Sequence, residues 1–138
     1  MANDQQRSKK LKRLVSVQRH LERMAESELA ATTKHREEIA QSMEVVIHAI
    51  GSMEPIHRSF SQNYAERYGR LTIKDGQLEN IQQIQEMKVL RERTKGDRLE
   101  ENMKKARELE DREASDQAIY DLLEITLAAP ASSKVQSS

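Results

Sequence analysis

From Leu11 to Ile50 the apolar residues recur at alternating intervals of three and four, and this spacing confines the chain more than any other feature. The series runs Leu11, Leu14, Val17, Leu21, Ala25, Leu29, Thr32, Arg36, Ile39, Met43, Val46 and Ile50. Such a heptad-like seam buries one narrow stripe of a helix against another helix. Thr32 and Arg36 thin the stripe, and the two consecutive steps of four at Leu21, Ala25 and Leu29 predict a stutter.

Composition agrees with long exposed helices. Charged residues make up 33% of the 138 residues and aromatic residues 3%, too few large apolar groups for a compact globule. Glu, Lys, Arg, Gln, Leu and Met are plentiful, with only two Pro and four Gly, which favours helix over disorder. The predicted fold is all-α: a long antiparallel two-helix coiled-coil hairpin. Residues 1–7 and the Ser-rich tail 129–138 are expected to be disordered, and Ser8 is the candidate cap of the first helix.

Two stretches compete to be the hairpin turn. Gly51-Ser52-Met53-Glu54-Pro55 is the stronger local breaker, since proline is tolerated only in the first turn of a helix. Tyr68-Gly69-Arg70-Leu71-Thr72 is the other. Gly69 suits a left-handed helix end, and Thr72 with Asp75 forms a weak capping box. Two arguments favour residues 69–72. A turn there gives arms of similar length, each on the order of 80–90 Å at 1.5 Å per residue, whereas a turn at Gly51 leaves the far third of the second arm unpaired. It also lays the basic segment Arg7–Arg23 beside the acidic segment Glu108–Glu124, where Leu14, Val17 and Leu21 meet Ala118, Ile119, Leu122 and Leu123. The expected layout is therefore arm one over 8–68 with a kink at 51–55, a turn at 69–72, and arm two over 72–128. Phe60, Tyr64 and Tyr68 form one aromatic stripe before the turn. In arm two the expected stripe includes Leu78, Ile81, Ile84, Met87, Leu90, Leu99, Met103, Ala106 and Leu109, with Val89 to one side.

No motif for catalysis is present. Cysteine is absent, and His20, His35, His48 and His57 lie too far apart in sequence for zinc-ligand spacing. The acidic pairs Glu37-Glu38, Glu100-Glu101 and Glu110-Asp111 are adjacent, so their carboxylates diverge instead of converging on a substrate. No phosphate-binding glycine loop occurs. The chain is expected to be non-enzymatic, with no catalytic residue, metal, cofactor or small-molecule substrate. No apolar run approaches the ~20 residues that span a bilayer, and no secretory signal is read at the N-terminus. A cytoplasmic protein, with at most peripheral membrane association, is the expectation. Formal net charge is zero, which argues against bulk nucleic-acid binding.

Candidate partner-binding residues are the cations Lys9, Lys10, Lys12 and Arg13 near the start, and Arg67 and Arg70 beside the expected turn. Each group can serve a partner, or simply solvate and pair the helices.

The layout resembles the FliJ family of flagellar type III export proteins. The resemblance rests on the basic start SKKLKRLVSVQRHLERM, the approach NYAERYGRL, and the charged second arm RERTKGDRLEENMKKARELEDREA, and covers about residues 8–125. The break at 51–55 and the glycines at and after 69 depart from a uniform stalk. The resemblance implies a non-enzymatic cytoplasmic component that engages the hexameric export ATPase, the export gate and export chaperones, and it transfers no individual site residue. The alternatives are a structural coiled-coil adaptor or dimerisation protein unrelated to secretion, and a nucleic-acid or membrane-surface binder acting through residues 9–23.

Overall fold

The computed structural model describes the backbone of residues 2–137 and the side chains of residues 6–128. Of the ends expected to be disordered, 1–7 and 129–138, residues 2–7 belong to the first helix and 129–137 to the last, which corrects that expectation, and Met1 and Ser138 lie outside the described residues. The fold is an all-α hairpin: α1 spans Ala2–Ile50, α2 Pro55–Ser59 and α3 Ser61–Ser137, with no strand among the described residues. The long helices α1 and α3 pack against each other. The chain divides into two units, described separately below: Gln18–Gly96, which carries the reversal, and Met1–Val17 with Asp97–Ser138, which carries both ends.

The reversal occurs at Gly51–Glu54, so the expected turn at 69–72 is corrected. Gly69 and Thr72 lie in uninterrupted helix. Gly69 has an ordinary helical backbone, since no glycine has positive φ. The Thr72 hydroxyl donates to the Tyr68 carbonyl at 2.9 Å, the habit of a threonine inside a helix and not of a cap. The kink expected at 51–55 is likewise corrected, because that stretch is the hairpin turn itself.

Helix energetics explain why. One glycine in a helix costs about 1 kcal/mol, while an interior proline costs about 3 and removes a hydrogen bond. At the end of α1 the Gly51 N–H still donates to the Ile47 carbonyl, and the Ser52 N–H tightens to the Ala49 carbonyl at 3.2 Å. Glu54 is then extended, with φ −67° and ψ 136°, as a residue preceding proline must be. Pro55 opens α2, where its missing N–H leaves nothing unpaired. The His57 and Arg58 N–H groups both donate to the Glu54 carbonyl at 3.1 Å. Phe60, at φ −106° and ψ 10°, then passes the chain into α3.

In the unit carrying the turn, the inward positions of α1 are Gln18, Glu22, Ala25, Leu29, Thr32, Arg36, Ile39, Met43 and Val46. Those of α3 are Leu71, Asp75, Leu78, Gln82, Gln85, Val89, Glu92 and Gly96. Both series keep alternating steps of three and four. The buried apolar groups are few: Ala25, Ile39, Val46 and Val89. The expected stutter is absent, because Leu21 is exposed and Glu22 takes the inward position. Four residues expected in the α3 stripe, Ile81, Ile84, Met87 and Leu90, face solvent. Val89, the residue set aside, is the buried one.

Gly96 has a packing reason of its own. The Arg19 guanidinium lies over it so closely that an added Cβ would stand 2.6 Å from Nη1 and 2.9 Å from Cζ. The absence of a side chain makes room for a cation on the seam.

In the unit carrying the ends, Ser8, Leu11 and Val15 of α1 face Leu99, Met103, Ala106 and Glu110 of α3. The Ser8 N–H donates to Glu110 Oε1 at 3.1 Å and its hydroxyl to Oε2 at 2.5 Å. Ser8 therefore lies inside α1 as a tie to α3 and does not begin the helix. Leu14 and Val17, expected in the seam, are 52% and 59% exposed.

Candidate functional site

The feature of the fold left without a packing explanation is the distal part of α3. Ser8 stands level with Glu110, while α3 continues for more than two dozen residues beyond that level. Every described position from Asp111 to Ala128 is exposed. These residues form helix for local reasons, as Ala, Leu, Glu and Gln are good helix formers and no glycine or proline interrupts them before Pro130. The segment is amphipathic in part. Gln117, Asp121 and Glu124 follow one another at four and three along a polar face, Ile119, Leu122 and Leu123 lie on the opposite side, and the exposed Tyr120, Ile125 and Leu127 lie between the two. Exposed apolar residues scattered singly are ordinary, but a contiguous apolar helix face marks an interaction surface.

The sequence placed Ala118, Ile119, Leu122 and Leu123 against Leu14, Val17 and Leu21. The fold does not bring them together, and the side chains of both sets remain exposed. The chain reverses at Gly51–Glu54 instead. The length mismatch that argued against that turn is the signal that would have exposed this surface.

Lys9, Lys10, Lys12 and Arg13 are exposed on α1 in the unit carrying the ends. Arg67 and Arg70 belong to the other unit, where both are exposed on α3. They do not sit at the hairpin tip, because the tip is at Gly51–Phe60 and α3 has already begun at Ser61. Arg67 borders an open cleft with Glu38, Gln41, Val45, His57 and Tyr64. Within that cleft His57 Nδ1 and the Tyr64 hydroxyl are 3.1 Å apart; Phe60, which does not line it, meets the Tyr64 ring at a tilt, with centroids 6.4 Å apart. The tip itself exposes Met53 and Ile56.

The charged groups with specific geometry belong to the helix seam. Arg36 joins Asp75 through two hydrogen bonds and Gln82 through a third. The Gln18 amide donates to both the carbonyl and the carboxylate of Glu92. Arg93 spans Glu22 and Glu26. These contacts lower three carboxyl pKa values: Asp75 through its hydrogen bonds from Arg36, Glu92 chiefly through that from Gln18, and Glu22 chiefly through that from Arg19. The contacts of Arg36 with Asp75, Gln18 with Glu92 and Arg93 with Glu22 and Glu26 cross from one helix to the other and hold them in register, whereas Arg19 and Glu22 pair within α1. The Gln85 Oε1 is buried without a hydrogen-bond partner among the described residues.

Among the described residues no group of three or more His, Cys, Asp or Glu side chains is placed to hold a metal ion. Nor is any helix there long and apolar enough to cross a membrane. Comparison with protein-family models, curated proteins and solved structures finds no match for this chain.

Proposed function

We propose that this chain is a non-enzymatic helical hairpin that works by docking onto proteins, and that it serves the cytoplasmic side of the flagellar type III export apparatus. In this reading it engages the export ATPase ring and, separately, the export gate or export chaperones. The observation that carries the docking role is the uncovered amphipathic end of α3, whose apolar face the hairpin leaves to another molecule. The assignment to export rests on the FliJ-like layout of the sequence. An amphipathic helix offered to a ring or groove supplies apolar anchors at helical spacing, and its flanking carboxylates orient it.

The test is a pull-down and ATPase-stimulation assay with a flagellar export ATPase. Binding and stimulation that are lost on Leu122→Asp and Leu123→Asp support the reading. No binding and no stimulation by the full chain reject it.

The second reading is a structural adaptor or dimerisation protein unrelated to secretion. It draws on the outward Ile84, Met87 and Leu90 of α3. Retained self-association together with no affinity for any export component favours it.

A further inference from the structure

Charge in the sequence offered two settings for Lys9, Lys10, Lys12 and Arg13: laid against the acidic segment 108–124, or turned to a partner. The fold does not make the pairing. All four cations are exposed, and none of them has a hydrogen bond or ion pair among the described residues. Of the α3 carboxylates in the same unit, Glu110 is held by Ser8, Glu101 pairs with Lys105 at 3.4 Å, and Glu113 borders a cleft with Arg7. On α1 itself no Asp or Glu occurs between Asp4 and Glu22. The positive charge of this stretch is therefore left for something outside the hairpin.

Helical spacing gathers the cations into one outward patch with two aliphatic side chains. Ser8, Leu11 and Val15 mark the inward side of α1 in this unit, and at about 100° per residue Arg13 points nearly opposite to them. Lys9 and Val17 adjoin Arg13, four residues before and after it, and Lys10 adjoins it at three. Leu14 lies one turn from both Lys10 and Val17, while Lys12 extends the patch on the far side, three residues from Lys9. Leu14 and Val17 are more than half exposed, at 52% and 59%. The face is basic with an aliphatic margin, and the opposite side of the helix is held against α3.

We propose that the outward face of α1 from Lys9 to Val17 docks on an anionic lipid surface, with the helix lying along the surface and not crossing it. In the headgroup layer, ammonium and guanidinium groups reach lipid phosphates and carboxylates while aliphatic side chains enter the acyl boundary. A nucleic-acid backbone is met by cations and polar donors, and it gives Leu14 and Val17 nothing to enter. Two aliphatic groups bury little area, so binding is reversible and depends on the charge. The inference does not rest on the export reading and is compatible with either function proposed above.

The experiment is sedimentation of the full chain with vesicles of phosphatidylcholine, alone or mixed in equal parts with phosphatidylserine, at low and high salt. The chain is expected to bind the mixed vesicles at low salt, to ignore the neutral ones, and to be released as salt shortens the screening length. Lys9→Glu, Lys10→Glu and Arg13→Glu together should lower the affinity roughly a hundredfold or more. Leu14→Gln with Val17→Gln should lower it roughly tenfold and leave its salt dependence in place. Circular dichroism checks that both variants keep the helical content of the wild type. A wild-type chain that does not bind the mixed vesicles overturns the proposal, as does equal binding to neutral vesicles or binding indifferent to the charge reversal. Tighter binding to duplex DNA than to the vesicles, or a Leu14 and Val17 variant that binds as the wild type does, overturns lipid as the ligand. No export component enters these assays, so their failure is read separately from that of the ATPase assay.

Discussion

Arg36 on α1 grips Asp75 on α3 at two points, Nε to Oδ1 at 3.0 Å and Nη2 to Oδ2 at 3.3 Å, while its Nη1 donates to Gln82. The two residues are 39 positions apart in sequence, on opposite arms of a hairpin whose turn lies between them. A sequence reading treats Arg36 as a weak point in an apolar seam. In the fold it carries a fork of hydrogen bonds matched to a carboxylate. Both side chains remain about 30% exposed, so solvent screens the pair. A double-mutant cycle with Arg36→Met and Asp75→Ala is expected to give a small favourable coupling in urea unfolding. A coupling near zero would show that the contact does not hold the register.

The same seam makes stability depend on pH on the acid side. Asp75, Glu92 and Glu22 all have pKa values below the ordinary carboxylate values of 3.8 and 4.5. The folded state therefore binds protons more weakly than the unfolded state at these sites. Their contribution is complete above those ordinary values, and it is lost as pH falls through them towards the lower folded values. Thermal melts at pH 7 and pH 3.5 are expected to show a drop that the triple variant Glu22→Gln, Asp75→Asn, Glu92→Gln reduces. An equal drop in both chains would assign the acid sensitivity elsewhere.

Glycine substitutions separate the two candidate turns. Gly69 and Gly76 are helical, exposed and open, with nothing within 4 Å of the point where a Cβ would stand. Gly69→Ala and Gly76→Ala should each stabilise the fold by about 0.5–1 kcal/mol. Gly96→Ala gains the same helix propensity but pushes its Cβ into the Arg19 guanidinium, so its gain should be smaller or reversed. Urea unfolding of the three variants gives the order. A destabilising Gly69→Ala would restore the left-handed turn at that position.

Distances report the turn directly. Spin labels at Lys34 and Glu79 flank the contacts of Arg36 with Asp75 and Gln82. They should lie within roughly 25 Å of each other, given helix axes about 8–10 Å apart. A reversal at 69–72 would instead displace them by roughly 40 Å along the helices, at 1.5 Å per residue. The measurement is a pulsed dipolar distance distribution in the full chain.

How much of this was legible in sequence follows the range of the forces involved. Helix is decided locally, by propensity, the scarcity of glycine and proline, and apolar residues returning every three or four positions. The all-α hairpin could therefore be read from Leu11–Ile50 and from the charged second half. Gly51 and Pro55 were visible as the stronger break, but equal arms and matched terminal charges outweighed them, because an unpaired apolar overhang counted as a defect. The inward face was harder to read. Leu14 and Val15, or Val89 and Leu90, are neighbours about 100° apart on a helix at 3.6 residues per turn, and either member suits an apolar seam. The candidate cations Lys9 to Arg13 were identified by charge, but their outward setting beside Leu14 and Val17 was not.

The sequence by itself determined that this chain is helical, and that its ends carry opposite charge beside apolar residues. Only the tertiary structure decided which residues face inward and where the chain reverses. Those choices depend on both helices at once, through pairs such as Arg36 with Asp75, Gln18 with Glu92 and Ser8 with Glu110. A polar residue with a partner on the facing helix holds a seam position that its own helix would assign to a neighbouring leucine or valine. That pairing sets the register, and the register leaves the end of α3 uncovered.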